Sequence, residues 1–237
     1  MLHLDLTLPT PEENLALDEA LLLSAEWSDG EVLRLWEWPR PAVVLGSGCK
    51  LADEVDQGAC RADGVPVTRR SSGGGTVLLG TGCLLYSLVL DTAGVTELAN
   101  IRRSYAHILA RVARALVDEA PGVAVCGISD LAIGGRKFSG NAQQRKQRYI
   151  LHHGSILYAF DTSIVARYLR PPPREPEYRS GRSHADFLMN LPMSREEIAR
   201  RLRNEWRADD ESRHWPREEV ARLTSEKYTS REWRERR

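Results

Sequence analysis

The 237-residue chain has no apolar run long enough to cross a membrane, and its first residues lack the basic-then-apolar layout of a signal peptide. It has no excess of either charge, Lys plus Arg matching Asp plus Glu at 33 each, which removes the broad basic field expected of a nucleic-acid binder. Cysteine is sparse and scattered. Cys49, Cys60, Cys83 and Cys126 form no C-x-x-C pair, so neither a zinc site nor a disulfide framework is spelled out, and the four read as reduced thiols in a cytoplasmic protein. No internal repeat or true linker divides the chain. These exclusions leave a chain of enzyme size, long enough to bury a substantial core.

What is present is a run of glycine where packing cannot use it. Arg69-Arg70-Ser71-Ser72-Gly73-Gly74-Gly75-Thr76-Val77 holds three consecutive glycines, which bury no side chain and lose the most backbone entropy on ordering. Such a stretch suits close approach of a ligand to converging N–H groups, and arginine adds a permanent forked charge for phosphate or carboxylate. Val65 and Val67 lead in and the apolar stretch 84–90 leads out, so the loop is expected between two sheet strands. The plain alternative is a floppy glycine hairpin.

The order of elements reads as a mixed α/β (α+β) sheet protein. Leu2, Leu4, Leu6 and Leu8 alternate with polar residues, as in a half-buried strand. Thr10-Pro11-Glu12-Glu13 spells a capping box with proline at the first helical position, and the helix is expected to end near Ser28-Asp29-Gly30. Strands are expected over 32–38 and 42–45, a short helix over 51–63, and a long amphipathic helix over 96–120, ended by Pro121-Gly122. Short strands over 123–126 and 130–133 precede a turn at Gly134-Gly135, and 150–160 has the composition of a buried strand. Beyond Pro171-Pro172-Pro173 the texture turns polar, with helices expected from Ser194-Arg195-Glu196-Glu197 to Trp206 and over 216–226. The whole is expected to be one domain, with 1–170 as its core and 171–237 as a helical C-terminal extension.

A second cluster carries the chemistry. Gly134-Gly135-Arg136-Lys137-Phe138-Ser139-Gly140-Asn141-Ala142-Gln143 places a lysine just after a tight turn among small residues, and His152-His153-Gly154-Ser155 follows on the next strand. A compact ammonium there suits a transferring phosphoryl group or an acyl oxygen. Alone, Lys137 would read as a solvated hairpin lysine and His153 as a core histidine; their pairing with the glycine loop is what singles them out.

At this point the sequence resembles the lipoate–protein ligase family of the biotin/lipoate attachment enzymes. The likeness runs through Asn14-Leu15-Ala16-Leu17-Asp18-Glu19-Ala20-Leu21, Leu33-Arg34-Leu35-Trp36, Pro41-Ala42-Val43-Val44-Leu45-Gly46, the Arg69–Val77 glycine loop, Asp130-Leu131, the Gly135–Gln143 lysine motif and His152-His153-Gly154-Ser155-Ile156-Leu157. Lys227-Tyr228 and Trp233 match the family's usual last helix. The resemblance implies a class II synthetase/biotin-ligase-like catalytic domain with a mixed, largely antiparallel sheet flanked by helices. It implies ATP-dependent activation of lipoate or octanoate to an acyl-adenylate. The acyl group then passes to a lysine of a lipoyl domain, of the 2-oxoacid dehydrogenase E2 or glycine cleavage H protein type, with Mg²⁺ carried mainly on phosphates.

Carried over by position, Lys137 would stabilise charge at the acyl carbonyl and α-phosphate. Arg70 with the backbone of Gly75, Thr76, Val77 and Leu78 would hold the adenylate, and Asp130 would orient the nucleotide or the incoming lysine. Gly73, Gly74, Gly140 and Ala142 would leave room for the acyl chain. Ser72, Gly82, Ser139, Asn141, His153 and Gly154 would complete the adenylate and acyl sites.

Three departures stand out. Leu79-Gly80-Thr81-Gly82 occupies a stretch that usually carries a histidine. Ser129 replaces the usual asparagine beside the aspartate. The chain also stops soon after Trp233, where many full ligases continue into an accessory domain, so a separate accessory subunit is one expectation. The alternatives within this resemblance are an octanoyl or lipoyl transferase working through a Cys thioester, and a non-catalytic half of a two-part ligase. Biotin ligation fits less well. For the transferase, Cys126 is the candidate nucleophile, although it lies out of register and its Val-Ala-Val neighbours suggest a buried strand thiol.

Overall fold

The structure is a computed structural model that describes residues 1–27 and 30–236. In chain order its elements are β1 (Leu2–Asp5), α1 (Pro11–Ser24), β2 (Val32–Glu37), β3 (Ala42–Leu45), α2 (Leu51–Glu54), α3 (Gln57–Ala62), β4 (Val67–Arg69), β5 (Val77–Leu79) and β6 (Cys83–Asp91). They continue with α4 (Thr96–Ala99), α5 (Ile101–Leu116), β7 (Val123–Cys126), β8 (Asp130–Ile133), β9 (Arg136–Lys146), β10 (Tyr149–Leu157), α6 (Val165–Tyr168), α7 (His184–Phe187), α8 (Arg195–Trp206), β11 (Asp210–Glu211), α9 (Arg217–Leu223) and α10 (Arg231–Glu235).

Among the described residues, eight strands form a sheet in the order β11-β1-β2-β6-β10-β9-β8-β7. Only the β11–β1 and β1–β2 pairs are parallel; the rest are antiparallel. The fold is thus mixed α/β with a large, mostly antiparallel sheet flanked by helices. Both faces are covered, so the central strands read as continuous apolar runs, and alternate residues divide between two cores. On β6, Cys83, Leu85 and Val89 face α1 and the small sheet, while Leu84, Tyr86, Leu88 and Leu90 face α5 and α8. No helix among the described residues is long and apolar enough to cross a membrane.

A second sheet, β4-β3-β5, carries the glycine loop. The loop joins β4 to β5, both hydrogen-bonded to β3, rather than leading into the 84–90 strand as expected. β5 is too short to announce itself beside the longer apolar run of β6.

α1 begins with the full capping box: Glu13 N donates to Thr10 Oγ1, and Thr10 N donates to Glu13 Oε2. It ends at Ser24, before the expected end at 28–30, of which Ser28 and Asp29 lie outside the described residues. The helix expected over 51–63 is two helices, because Asp56 starts α3 by capping Ala59 N. The helix expected over 96–120 also breaks, at Asn100, whose side chain caps the start of α5. Residues 171–237 complete both cores: Leu191, Ile198, Leu202 and Trp206 enter one, and Val220, Leu223 and Tyr228 the other. This segment also supplies the edge strand β11, for which two polar residues, Asp210 and Glu211, give no sequence signal.

Candidate active site

Gly134 and Gly135 have φ of +56° and +74° and close a two-residue hairpin between β8 and β9, a turn that needs left-handed backbone at both positions. A register shift between Leu131 and Ala132 interrupts the β8–β9 ladder, the kind of irregularity that re-aims neighbouring side chains. Lys137 Nζ lies 2.7 Å from Asp130 Oδ1. The spacing to Gly140 has a steric reason: a Cβ there would stand 2.7 Å from Nζ and 2.8 Å from Cε, so the lysine lies across bare backbone.

Asp130 is shared. Its Oδ2 accepts from the Tyr178 hydroxyl at 2.8 Å, and burial, with the carboxylate beside it, pushes that phenol well above its ordinary value. Asn141 fixes the neighbourhood by donating to Ser129 O (2.8 Å) and Ser139 Oγ (3.2 Å) while accepting from the Tyr86 hydroxyl. Gly154 makes room for it, since a Cβ would fall 1.8 Å from Asn141 Oδ1.

The glycine loop is braced by its own arginine. Arg70 Nη2 donates to Gly73 O (2.6 Å) and Gly75 O (2.8 Å), and Nε donates to Ser72 Oγ (3.1 Å). Gly74 (φ +83°) is the position that demands glycine, because a Cβ would also meet Arg70 Nη2 at 2.9 Å. At the loop's exit, the buried Glu54 accepts from Thr76 N (3.2 Å) and Oγ1 (2.7 Å).

Behind the loop runs a Ser72–His153–Asp18 relay: Ser72 Oγ is 2.5 Å from His153 Nε2, and His153 Nδ1 is 3.1 Å from Asp18 Oδ2. Burial alone would raise the Asp18 carboxyl, but Arg34, 2.6 Å away, and His153 hold it below its ordinary value. An ionised Asp18 can only accept, so Nδ1 of His153 carries a proton. The order of residues is that of a serine hydrolase, yet Ser72 is 1% exposed and already accepts from Arg70, so it cannot reach a substrate carbonyl. The relay locks the loop onto α1 and β10.

Two adjoining cavities meet at the lysine. The inner one, about 160 Å³, has apolar walls from Leu15, Trp36, Val44, Val77, Leu79 and Leu85. The outer one, about 650 Å³, is roofed by residues 170–188 and includes Arg170, Arg174 and Arg179. Gly75, Thr76, Val77, Asp130, Lys137 and Gly140 border both.

Of the residues singled out from sequence, Arg70, Gly74, Asn141, Ala142, His153 and Gly154 border the inner cavity, and Leu78 and Ser139 the outer. Ser72 and Gly73 stand behind, touching Arg70. Gly82 lines neither: it is a turn residue at φ +81° whose Cβ would strike Ala159 at 2.1 Å. Sequence reasoning missed Tyr178, Glu54 and the polar side of α1. The only signal for the last was Asn14, Asp18 and Glu19 within a helix otherwise rich in Leu and Ala; all three are buried, and each is partnered from a distant segment.

The family profile described as the lipoyl protein ligase A/B catalytic domain matches residues 10–205. The chain belongs to this family. An octanoyltransferase LipM of Carboxydothermus hydrogenoformans is 34% identical over 67% of this chain and 65% of its own length, so the alignment spans just under two thirds of that relative. A lipoate–protein ligase 1 of Staphylococcus aureus is 26% identical over 94% of this chain and 69% of its own. Among solved structures, a bi-partite lipoate protein ligase from Thermoplasma acidophilum, described together with its E2 lipoyl domain, superposes with a TM-score of 0.83 at 22% identity. That match covers 99% of this chain and 95% of the other, and it shows a shared fold.

For a member of the lipoyl protein ligase family, the state of the thiols matters. Cys126 is not a buried strand thiol as expected: it sits partly exposed on the edge strand β7, beside the exposed Val125. It borders neither cavity. Burial and the Asp130 carboxylate push it up, away from the thiolate a nucleophile needs. Burial also raises Cys49 and Cys60 and pushes Cys83 up to about 12.

Proposed function

We propose that this chain activates lipoate or octanoate with ATP and transfers the acyl group to a lysine of a lipoyl-domain acceptor. The observation that carries the reading is Lys137, held by Asp130 where an apolar pocket opens into a larger chamber lined by side chains of both charges. In this reading the acyl chain would occupy the apolar inner cavity, with its carboxyl group at Lys137. Arg170 and Arg174 offer cations to a polyphosphate in the outer chamber, where Glu54, Glu175 and Glu177 also stand and Arg179 is paired with Glu175 at 3.3 Å. A carboxylate oxygen would attack the α-phosphorus with loss of pyrophosphate, and the acceptor amine would then attack the acyl carbonyl with loss of AMP. In both steps the ammonium of Lys137 offsets negative charge on the reacting oxygens. Mg²⁺ would enter on the phosphates; among the described residues no group of three or more His, Cys, Asp or Glu side chains forms a metal site. In this reading residues 1–237 act as one cytoplasmic catalytic domain.

The second reading, transfer through a Cys thioester, is favoured by the name of the octanoyltransferase relative. The raised thiols and the position of Cys126 favour the adenylate route instead. A non-catalytic subunit would have no use for the Lys137–Asp130 pair. The test is to supply ATP with lipoate or octanoate, or preformed lipoyl-adenylate, together with a lipoyl domain of E2 or H-protein type. The expected result is an acyl mass added to the acceptor lysine, from free acid only when ATP is present. Failure to acylate from either donor overturns the reading.

A further inference from the structure

The first arginine of the glycine motif does not face either cavity. Arg69 is fully buried, and its guanidinium donates to Trp233 O (3.0 Å from Nε) and Arg234 O (2.8 Å from Nη2), carbonyls of the last turn of α10. A helix end leaves such carbonyls without intrahelical partners, and an arginine is well suited to satisfy them. The contact is reciprocal, because Trp233 Nε1 donates to Arg69 O at 2.9 Å.

The other end of the same guanidinium reaches the turn after β3: Nη1 donates to Gly46 O (2.8 Å) and Cys49 O (2.7 Å). That turn is the shelf on which the glycine loop rests. Ser47 N donates to Ser72 O at 2.9 Å, Cys49 Sγ to Gly74 O at 3.3 Å, and a Cβ on Gly46 would be 1.9 Å from Gly74 O. A second tie runs beside it. Lys227 Nζ and the Tyr228 hydroxyl both donate to Glu19 at 2.7 Å, and Lys227 Nζ lies 4.3 Å from the centre of the Trp233 ring. Gln144 donates to the same carboxylate and accepts from Ser71 of the loop.

We propose that Trp233 and Arg69 are positioning residues for the ligand loop, through which α10 fixes the shape of the glycine segment that borders the inner cavity. The chain of contacts is continuous, from α10 to Arg69, from Arg69 to the 46–49 turn, and from that turn to Ser72 and Gly74. Loosening α10 frees the loop before any core residue is disturbed, so the effect falls on ligand binding more than on the chemical step. The kinetic part of this inference rests on the lipoate-activating reading above; the loop's order does not.

Trp233→Phe tests it, since an aromatic ring is kept and the hydrogen bond from the indole to Arg69 O is lost. In the ligand-free protein, amides of residues 71–76 are expected to exchange with deuterium about three- to tenfold faster, the scale of one hydrogen bond. The KM for lipoate is expected to rise by a similar factor, with kcat nearly unchanged. Trp233→Ala should enlarge both effects, and Tyr228→Phe should reproduce the exchange effect from the second tie. If α10 exchanges faster in Trp233→Phe while residues 71–76 keep their wild-type rates, the proposal fails and the helix is packing alone. If wild type does not turn over lipoate, the exchange measurement still decides the brace, and only the functional reading falls.

Discussion

At the scale of single residues, the site depends on where Lys137 is held. Its side chain is one-quarter exposed, and Asp130 keeps the Tyr178 hydrogen bond when the lysine is removed, so Lys137→Ala should still fold, with a modestly lower melting temperature. Acyl transfer should fall on the order of 10²–10³-fold, the usual loss for one charge-stabilising donor. Near-normal acceptor labelling by that variant would remove the lysine from the mechanism. Gly140→Ala is a subtler test. The added Cβ would sit 2.7 Å from Nζ, and the flexible lysine can swing away, so the fold survives while the ammonium is displaced. Misplacement by about 1 Å can cost on the order of 10²-fold in rate. A Gly140→Ala protein with wild-type kcat would show that the lysine need not lie across that backbone.

At the scale of elements, the glycine loop and the strap over residues 170–188 shape the cavities. Gly74→Val should disable the loop, because φ +83° is left-handed backbone, costing about 1–2 kcal/mol for a side-chain-bearing residue before the clash with Arg70 is counted. Calorimetry of lipoate or lipoyl-adenylate binding should show loss of affinity in a protein that still folds; unchanged affinity would make the loop a structural turn only.

Much of this scale was legible in the sequence. The capping box of α1, the paired strands β7 and β8, and the Gly134-Gly135 turn follow from local patterns, and the structure places them where those patterns fall. The glycine loop stood out as a candidate site because three glycines have no packing rationale, the Lys137 segment stood out by its pairing with that loop, and the structure brings the two to the same cavities. What stayed hidden depends on distant partners. Glu19 finds Lys227, and Asp130 finds Tyr178 in a polar stretch without periodicity. Arg69 and Arg70 look alike in sequence, yet one caps α10 and the other braces the loop. Helix breaks at Asp56 and Asn100 were missed because a capping side chain inside an apolar pattern reads as a surface position.

At the scale of the whole molecule, the two cores on opposite faces of the sheet couple stability to a buried histidine. His152 is fully buried; Gln143 Nε2 lies 3.1 Å from its Nδ1 and the Tyr86 hydroxyl oxygen 3.3 Å from its Nε2. Burial and then His153 push its pKa down to about 3 from the ordinary 6.5. Above pH 6.5 neither state binds this proton, and stability is full. Between pH 6.5 and 3 the unfolded chain takes the proton and the folded one does not, so stability falls as pH drops. Melting temperatures recorded across that window should decline toward acid, and less steeply in a folded His152→Gln variant; equal slopes would remove His152 as a source of the dependence.

On the proposed reading, acyl transfer at Lys137 and its two cavities proceeds without a cysteine intermediate. The direct measurement is intact-protein mass spectrometry of wild type, Lys137→Ala and Cys126→Ser, each given lipoyl-adenylate or octanoyl-carrier protein with a lipoyl-domain acceptor and no ATP. Acceptor acylation from the adenylate should be retained by Cys126→Ser and lost in Lys137→Ala, with no acyl adduct on the enzyme. An acyl-enzyme at Cys126 formed from octanoyl-carrier protein, and transfer abolished in Cys126→Ser, would contradict the account.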